Sequence, residues 1–210
     1  MKNLLFAIGM FLSFSVLNAQ IITDRPDFAD ATIPVPVGVL QVESGYLFGK
    51  TSGTENHTFG QVLLKTGLTD KLEIRFGVNS YERVEWNGGD DSGFSDGYFG
   101  IKMRLIEGSA DTGLGSFNLT TIVFTGLPYG SEDFRSTHLT PGAMLTADLG
   151  LSEKWVWAPF VQYTLAEDAV DQYDELSAGF SFIRSLGDVS GWYLEYYGTI
   201  AENYYREDMH

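Results

Sequence analysis

Leu72-Glu73-Ile74-Arg75-Phe76-Gly77-Val78-Asn79-Ser80 is the stretch that decides the fold. Leu72, Ile74, Phe76 and Val78 take every second position, and Glu73, Arg75, Gly77 and Asn79 fill the gaps. A period of two sends each set to its own face of a β-strand; a helix would need apolar residues three and four apart. Residues 98–105 repeat the pattern, with Phe99, Ile101, Met103 and Leu105 set against Gly100, Lys102 and Arg104. Charge on one face and large apolar side chains on the other describe a sheet whose two sides meet different surroundings.

Working outward, the same reading predicts nine strands, over residues 39–50, 58–68, 71–85, 96–106, 116–126, 139–149, 155–165, 175–185 and 192–202. No helical stripe competes with them, and neither an internal repeat nor a domain boundary interrupts them. The connections alternate in length. Thr69-Asp70, Ser152-Glu153-Lys154 and residues 187–191 are short turns. Residues 86–95 (with Asp90-Asp91), 127–138 (with Glu132-Asp133) and 166–174 (with Glu167, Asp168 and Asp171) read as longer acidic loops. Residues 107–115 break the alternation, being long at the short end. Short turns at one end and long loops at the other are the pattern of an up-and-down transmembrane β-barrel. A soluble β-sandwich or lipocalin-like barrel shares the strand alternation with its faces reversed, and alternation alone does not orient a sheet. Aromatic residues near strand ends, among them Tyr46, Phe48, Trp86, Trp155 and Trp192, fit interfacial girdles and favour the membrane version.

The N-terminus sets the compartment. Lys2 is followed by an apolar run from Leu4 to Leu17, about 14 residues and short of the ~20 a spanning helix needs. Asn18-Ala19-Gln20 then offers a small residue for cleavage, so residues 1–19 read as a signal peptide. Residues 20–38 read as a periplasmic N-terminal segment and 39–210 as the barrel domain. Nothing after Gln20 resembles a transmembrane helix, and the chain has no cysteine to staple a small extracellular fold. With 28 acidic against 13 basic residues and a net charge of -15, it lacks the basic footprint that nucleic acid requires. The 24 glycines, with 14% aromatics, suit strands and turns.

No catalytic constellation stands out in the sequence: His138 could serve as the base of a Ser–His pair, but nothing selects its serine. His57, His138 and His210 have no metal-ligand spacing, so neither a metal nor a cofactor is expected. Residues 90–96 read as a solvated acidic loop. If the apolar set faces lipid, then Gln41, Glu43, Lys65, Glu73, Arg75, Lys102, Arg104, Asp148, Gln162, Glu175 and Glu195 line the lumen. These charges either border a polar pore or cross-link the lumen shut. Asp24, Arg25 and Asp27, ahead of the first strand, either tuck into the periplasmic mouth or cap the strand.

Thr23-Asp24-Arg25-Pro26-Asp27-Phe28, then Ile33-Pro34, Pro36-Val37-Gly38 and residues 41–46 (QVESGY), resemble the opening of the phenol-degradation meta-pathway (MetA) family of outer-membrane transporters. Residues 67–75 (GLTDKLEIR) and 191–197 (GWYLEYY) are similar to later strands of that family. The resemblance implies a barrel of about twelve strands closing on an aromatic-rich terminal strand. An odd count of nine places both ends of the sheet parallel, so the chain reads as cut short of closure at His210. The function this implies is passive passage of a small solute through the outer membrane. A non-conducting structural or adhesion barrel and a soluble secreted β-protein are the alternatives. The implied partners are outer-membrane lipid, the barrel-assembly machinery and an unidentified small solute.

Overall fold

The computed structural model describes residues 29–108, 116–168, 171–187 and 190–202. The signal segment, Asp24, Arg25, Asp27, most of the 107–115 connection and the last eight residues lie outside them. The described chain is one antiparallel sheet of eleven strands: β1 (Leu40–Thr51), β2 (Thr54–Thr69), β3 (Leu72–Gly77), β4 (Tyr81–Trp86), β5 (Gly89–Phe94), β6 (Gly97–Glu107), β7 (Phe117–Leu127), β8 (Thr140–Ser152), β9 (Trp155–Glu167), β10 (Gln172–Ser185) and β11 (Gly191–Glu202). A single 3-10 turn, Glu132–Phe134, sits in the β7–β8 connection.

The eleven segments occupy nine positions across the sheet. β3 pairs with the C-terminal half of β2 and β4 with its N-terminal half, so β3 and β4 lie end to end. β6 and β5 lie end to end beside them in the same way. The single strand read over 71–85 is therefore corrected: it breaks at residues 78–80. β2 carries the matching irregularity, with Gln61 (φ 41°) and Gly60 (φ 92°) opposite the Glu43/Gly45 register shift. Val78 N–H donates to Val62 C=O at 2.9 Å, and Ser95 N–H to Ser80 C=O at 2.9 Å, so three neighbouring strands are offset at one level. Each offset re-phases the alternation. The outward set is even-numbered in β3 and odd-numbered in β4, and no single period could run through both.

A second correction concerns the long loops. Residues 86–95 form the β4–β5 hairpin with only Asn87 and Gly88 between strands, and residues 168–171 alone separate β9 from β10. The acidic residues Asp90 and Asp91 therefore lie on a paired strand. What lengthens this end is strand that continues past the main sheet. Of these three connections, the β7–β8 one alone remains a long loop.

The two faces differ as the alternation requires. Outward-facing Leu40, Val42, Phe99, Ile101, Met103, Val123, Leu145 and Val161 are all exposed. The inner face buries Glu43, Lys65, Glu73, Arg75, Lys102, Thr120, Thr146 and Ser181, together with Ile122, Met144, Ala158 and Phe160. The sheet is curled tightly enough for one residue, Asp30, to reach both β3, through Arg75, and β8, through Thr146. Residues 29–36 lie along this inner face, and Val37 makes a parallel bridge to Gly67 of β2. A Cβ at Gly67 would sit 2.0 Å from the Val35 carbonyl oxygen, which is why a glycine is needed there. Gly67→Ala is expected to lose about 1–3 kcal/mol by forcing the two backbones apart. A lowered denaturant midpoint with an unchanged strand signal in circular dichroism would show it; an unchanged midpoint would place the segment elsewhere.

Candidate functional site: a buried ionic layer and the segment that crosses it

The interior is built from inward positions of neighbouring strands. Arg75, 2% exposed, projects from β3 and holds two carboxylates. Its Nε and Nη2 donate to Glu73 Oε1 at 3.1 and 3.0 Å, and its Nη1 donates to Asp30 Oδ1 at 2.9 Å. Arg75 and Glu73 come from alternate positions of one strand, so the pair is set by the period of two that opened the sequence reading. Lys65 of β2 pairs with Glu43 of β1 at 2.5 Å, and Gln41 Nε2 donates to the same carboxylate at 2.8 Å. Taking such ions out of water costs several kcal/mol each, and that cost is recovered only where geometry and extra hydrogen bonds satisfy them.

Residues 29–35 supply many of those extra bonds. Ala29 N–H donates to Glu195 of β11 at 3.3 Å, and Ser181 Oγ donates to the same oxygen at 3.1 Å. Asp30 C=O accepts from Thr146 Oγ1 at 3.0 Å, and Ala31 C=O from Lys102 Nζ at 2.8 Å. Thr32 C=O accepts from Thr120 Oγ1 at 2.6 Å, while the Thr32 hydroxyl donates to Asp148. Val35 N–H donates to Glu73 Oε2 at 2.7 Å. One short segment thus ties β3, β6, β7, β8 and β11 together. Ala29 also packs on Ile122, Met144 and Phe160, the apolar cluster of the interior.

Of the residues singled out in the sequence, Glu43 with Lys65, Glu73 with Arg75, and Lys102, Asp148 and Glu195 are drawn into this layer. Arg104 instead pairs with Glu107 at 2.9 Å, and Glu175 stands toward the opposite end of β10, half-buried. Gln162 lies in the cleft above the layer. Sequence reading missed Asp30, Thr32, Thr120, Thr146 and Ser181. The three strand residues are small hydroxyls at inward positions beside predicted lumen charges, and that register was the available signal. Asp30 and Thr32 had none, because they precede the first strand and have no alternation to place them.

Above the layer the interior opens into a cleft of about 830 Å³. Asp30 and Arg75 form its floor, Tyr98, Ile122, Phe124 and Met144 part of its wall, and Gln61, Ser80, Asp96 and Gln162 its polar sites. The β7–β8 loop, beside Asp96, is held by two carboxylates. Asp96 accepts from Gly130 and Ser136 N–H at 2.9 and 2.8 Å; Glu167 accepts from Thr137 and His138 N–H at 2.6 and 2.9 Å. Among the described residues there is no group of three or more His, Cys, Asp and Glu placed to hold a metal ion.

Arg75→Leu is expected to destabilise the protein by about 3–5 kcal/mol, because it leaves Glu73 and Asp30 buried without their cation. The double change Glu73→Leu with Arg75→Leu should cost less than Arg75→Leu alone. Equilibrium unfolding in detergent measures both, and equal losses would mean that the pair is not desolvated.

No curated protein and no solved structure matches the chain. A family model does, over residues 23–208, which takes in the inner segment and the sheet through β11. The family model is described as putative MetA-pathway of phenol degradation, and the chain belongs to that family.

Proposed function

We propose that this protein is an outer-membrane β-barrel that passes small solutes through its interior. The observation that carries this reading is the inverted distribution of polarity. Lys102 is 1% exposed while its neighbour Ile101 is 40% exposed, and this contrast recurs across the sheet. A water-soluble protein reverses that arrangement, because each exposed large apolar side chain forgoes the stabilisation of burial, about 1.5–3 kcal/mol. Against lipid the same face is favourable.

The dimensions agree. On the outward side of β10, Arg184 and Asp174 bracket Phe182, Phe180, Ala178 and Leu176. That interval is roughly 33 Å along the strand, or about 25 Å along the membrane normal at a tilt of ~40°, close to the height of a barrel's apolar band. The turn end of the band carries Trp155, Trp192 and Arg184, with the two indoles edge to face at 5.5 Å and the guanidinium 5.0 Å from the Trp155 ring. At the opposite end, the Tyr163 hydroxyl donates to Asp174, and Tyr46, Phe59, Tyr81 and Phe94 form a cross-strand row of rings 5.0 to 6.2 Å apart. Rings at both borders with polar partners suit the lipid–water interface.

The cleft joins an apolar wall to polar groups, so it suits a small molecule with an apolar body and a polar group. The family's association with phenol degradation points the same way. Delivery to the outer membrane would require the barrel-assembly machinery. A non-conducting barrel is the second reading, and the observation favouring it is the filled ionic layer.

Three measurements test this. The mature protein should sediment with outer membranes; recovery from the soluble periplasm would overturn the proposal. Ile101→Lys should cost about 2–4 kcal/mol on folding into lipid vesicles, and the same change at inward Thr164 much less; equal costs would reverse the faces. In planar bilayers the protein should conduct, and replacing Lys102 and Arg104 with Gln should shift selectivity toward cations, since fixed positive charge leaves an interior that keeps its carboxylates. A conducting protein with unaltered selectivity would place the path outside this interior.

A further inference from the structure

We infer that residues 29–37 are a displaceable plug that closes the short-turn end of the interior, so that passage requires this segment to leave its seat. This inference rests on the proposed conduit and adds how that conduit is closed.

The seat lies at one end of the sheet. Glu73 is next to the Asp70–Lys71 turn, Asp148 lies near the end of β8, and Glu195 near the start of β11, all at the end where the short turns join the strands. Thr32 and Val35 are buried there, and the open cleft lies on the other side of Asp30 and Arg75. The segment therefore divides the interior: the cleft stands above it, and the short-turn mouth lies below.

The way it is held distinguishes a plug from a further strand. Every hydrogen bond described between residues 29–35 and the sheet has a strand side chain as its partner: Glu195, Arg75, Thr146, Lys102, Thr120, Asp148 and Glu73. Among the described residues, its backbone bridge to the sheet is the Val37–Gly67 pair at its C-terminal end. The segment can consequently leave without opening one rung of the sheet's own ladders. Pro34 and Pro36 remove two N–H donors from it, which limits its capacity to pair as a strand.

The vacated seat would remain stable in water. Glu73–Arg75 and Glu43–Lys65 are bonded within the sheet, and Lys102 and Asp148 are ionic groups that water solvates well. The apolar surface given up on departure is confined to Ala29, Pro34 and Val35, and of these Ala29 alone joins the interior apolar cluster. Gly38 (φ 77°), immediately before β1, supplies a backbone conformation that L side chains rarely adopt, where the segment turns from the interior into the sheet. It is the natural hinge.

The chain contains no cysteine, so a reversible lock can be introduced cleanly. In Thr32→Cys with Asp148→Cys, the two thiols replace side chains that already touch. The full-length protein, purified from outer membranes, would be oxidised, its cross-link verified on non-reducing gels, and its conductance followed in planar bilayers before and after reduction. The oxidised form should conduct at least tenfold less than the same sample reduced. Asp30→Asn, which weakens the tie to Arg75 without touching the sheet, should raise the open fraction severalfold and serves as an independent readout if the double variant does not assemble. Equal conductance in oxidised and reduced samples, or an open fraction unmoved by Asp30→Asn, would overturn the plug while leaving the conduit intact. Absence of conductance from wild type, the reduced double variant and Asp30→Asn alike would overturn the conduit and the plug with it.

Discussion

The guanidinium of Arg75, held between Glu73 and Asp30, is the interaction on which the rest of the interior depends. Glu73 orients it from within the same strand, and Asp30 brings the N-terminal segment to it. Once Asp30 is fixed, the next residues meet Thr146, Lys102, Thr120 and Asp148 in turn. While seated, the segment acts as an internal strut: strands far apart in the sheet are bridged by one short peptide through side-chain contacts, alongside the sheet's own backbone ladders. A buried ionic layer is a costly way to gain stability, since desolvation offsets much of the Coulomb energy. It is a good way to obtain a single seated arrangement, because a partner shifted within the seat gives up its charge-assisted hydrogen bonds.

The same layer separates two chemistries that a water-soluble fold would merge. Outside, the sheet offers a continuous apolar surface bordered by indoles and phenols. Inside, it holds ions at one end and an apolar and aromatic wall above them, formed by Ile122, Phe124, Met144 and Tyr98. The interior is thus less uniformly polar than the alternation of Glu73, Arg75, Lys102 and Arg104 suggests. Those four lie near the short turns, and the positions above them on β7 and β8 change to apolar residues. Seen from the loop end, the apolar wall comes before the charges.

How much of this was legible depended on whether a residue lay in a repeating pattern. Arg75 and Lys102 could be assigned to the face opposite Phe76 and Ile101 because alternation leaves no other choice within a strand. The nine strand positions were legible for the same reason. The break at residues 78–80 was not. Val78-Asn79-Ser80-Tyr81 still looks like strand, and the offset arises from Gly60 and Gln61 on a neighbour that sequence alone does not place alongside. Asp90 and Asp91 were misread as loop because acidic residues next to Gly88-Gly89 carry turn character; pairing with Val84 and Glu85 overrode it.

The sequence by itself determined the all-β class, the number of strand positions, the segregation of charge from apolar side chains, and the family. All of these are local or periodic properties, carried by neighbours along the chain. Which face is enclosed, where residues 29–37 run, and which ions meet were decided only by tertiary structure. The Arg75–Asp30 contact spans 45 positions and the Ala29–Glu195 contact 166. Contacts at such separations follow from the curl and register of the sheet, and no spacing along the chain encodes them.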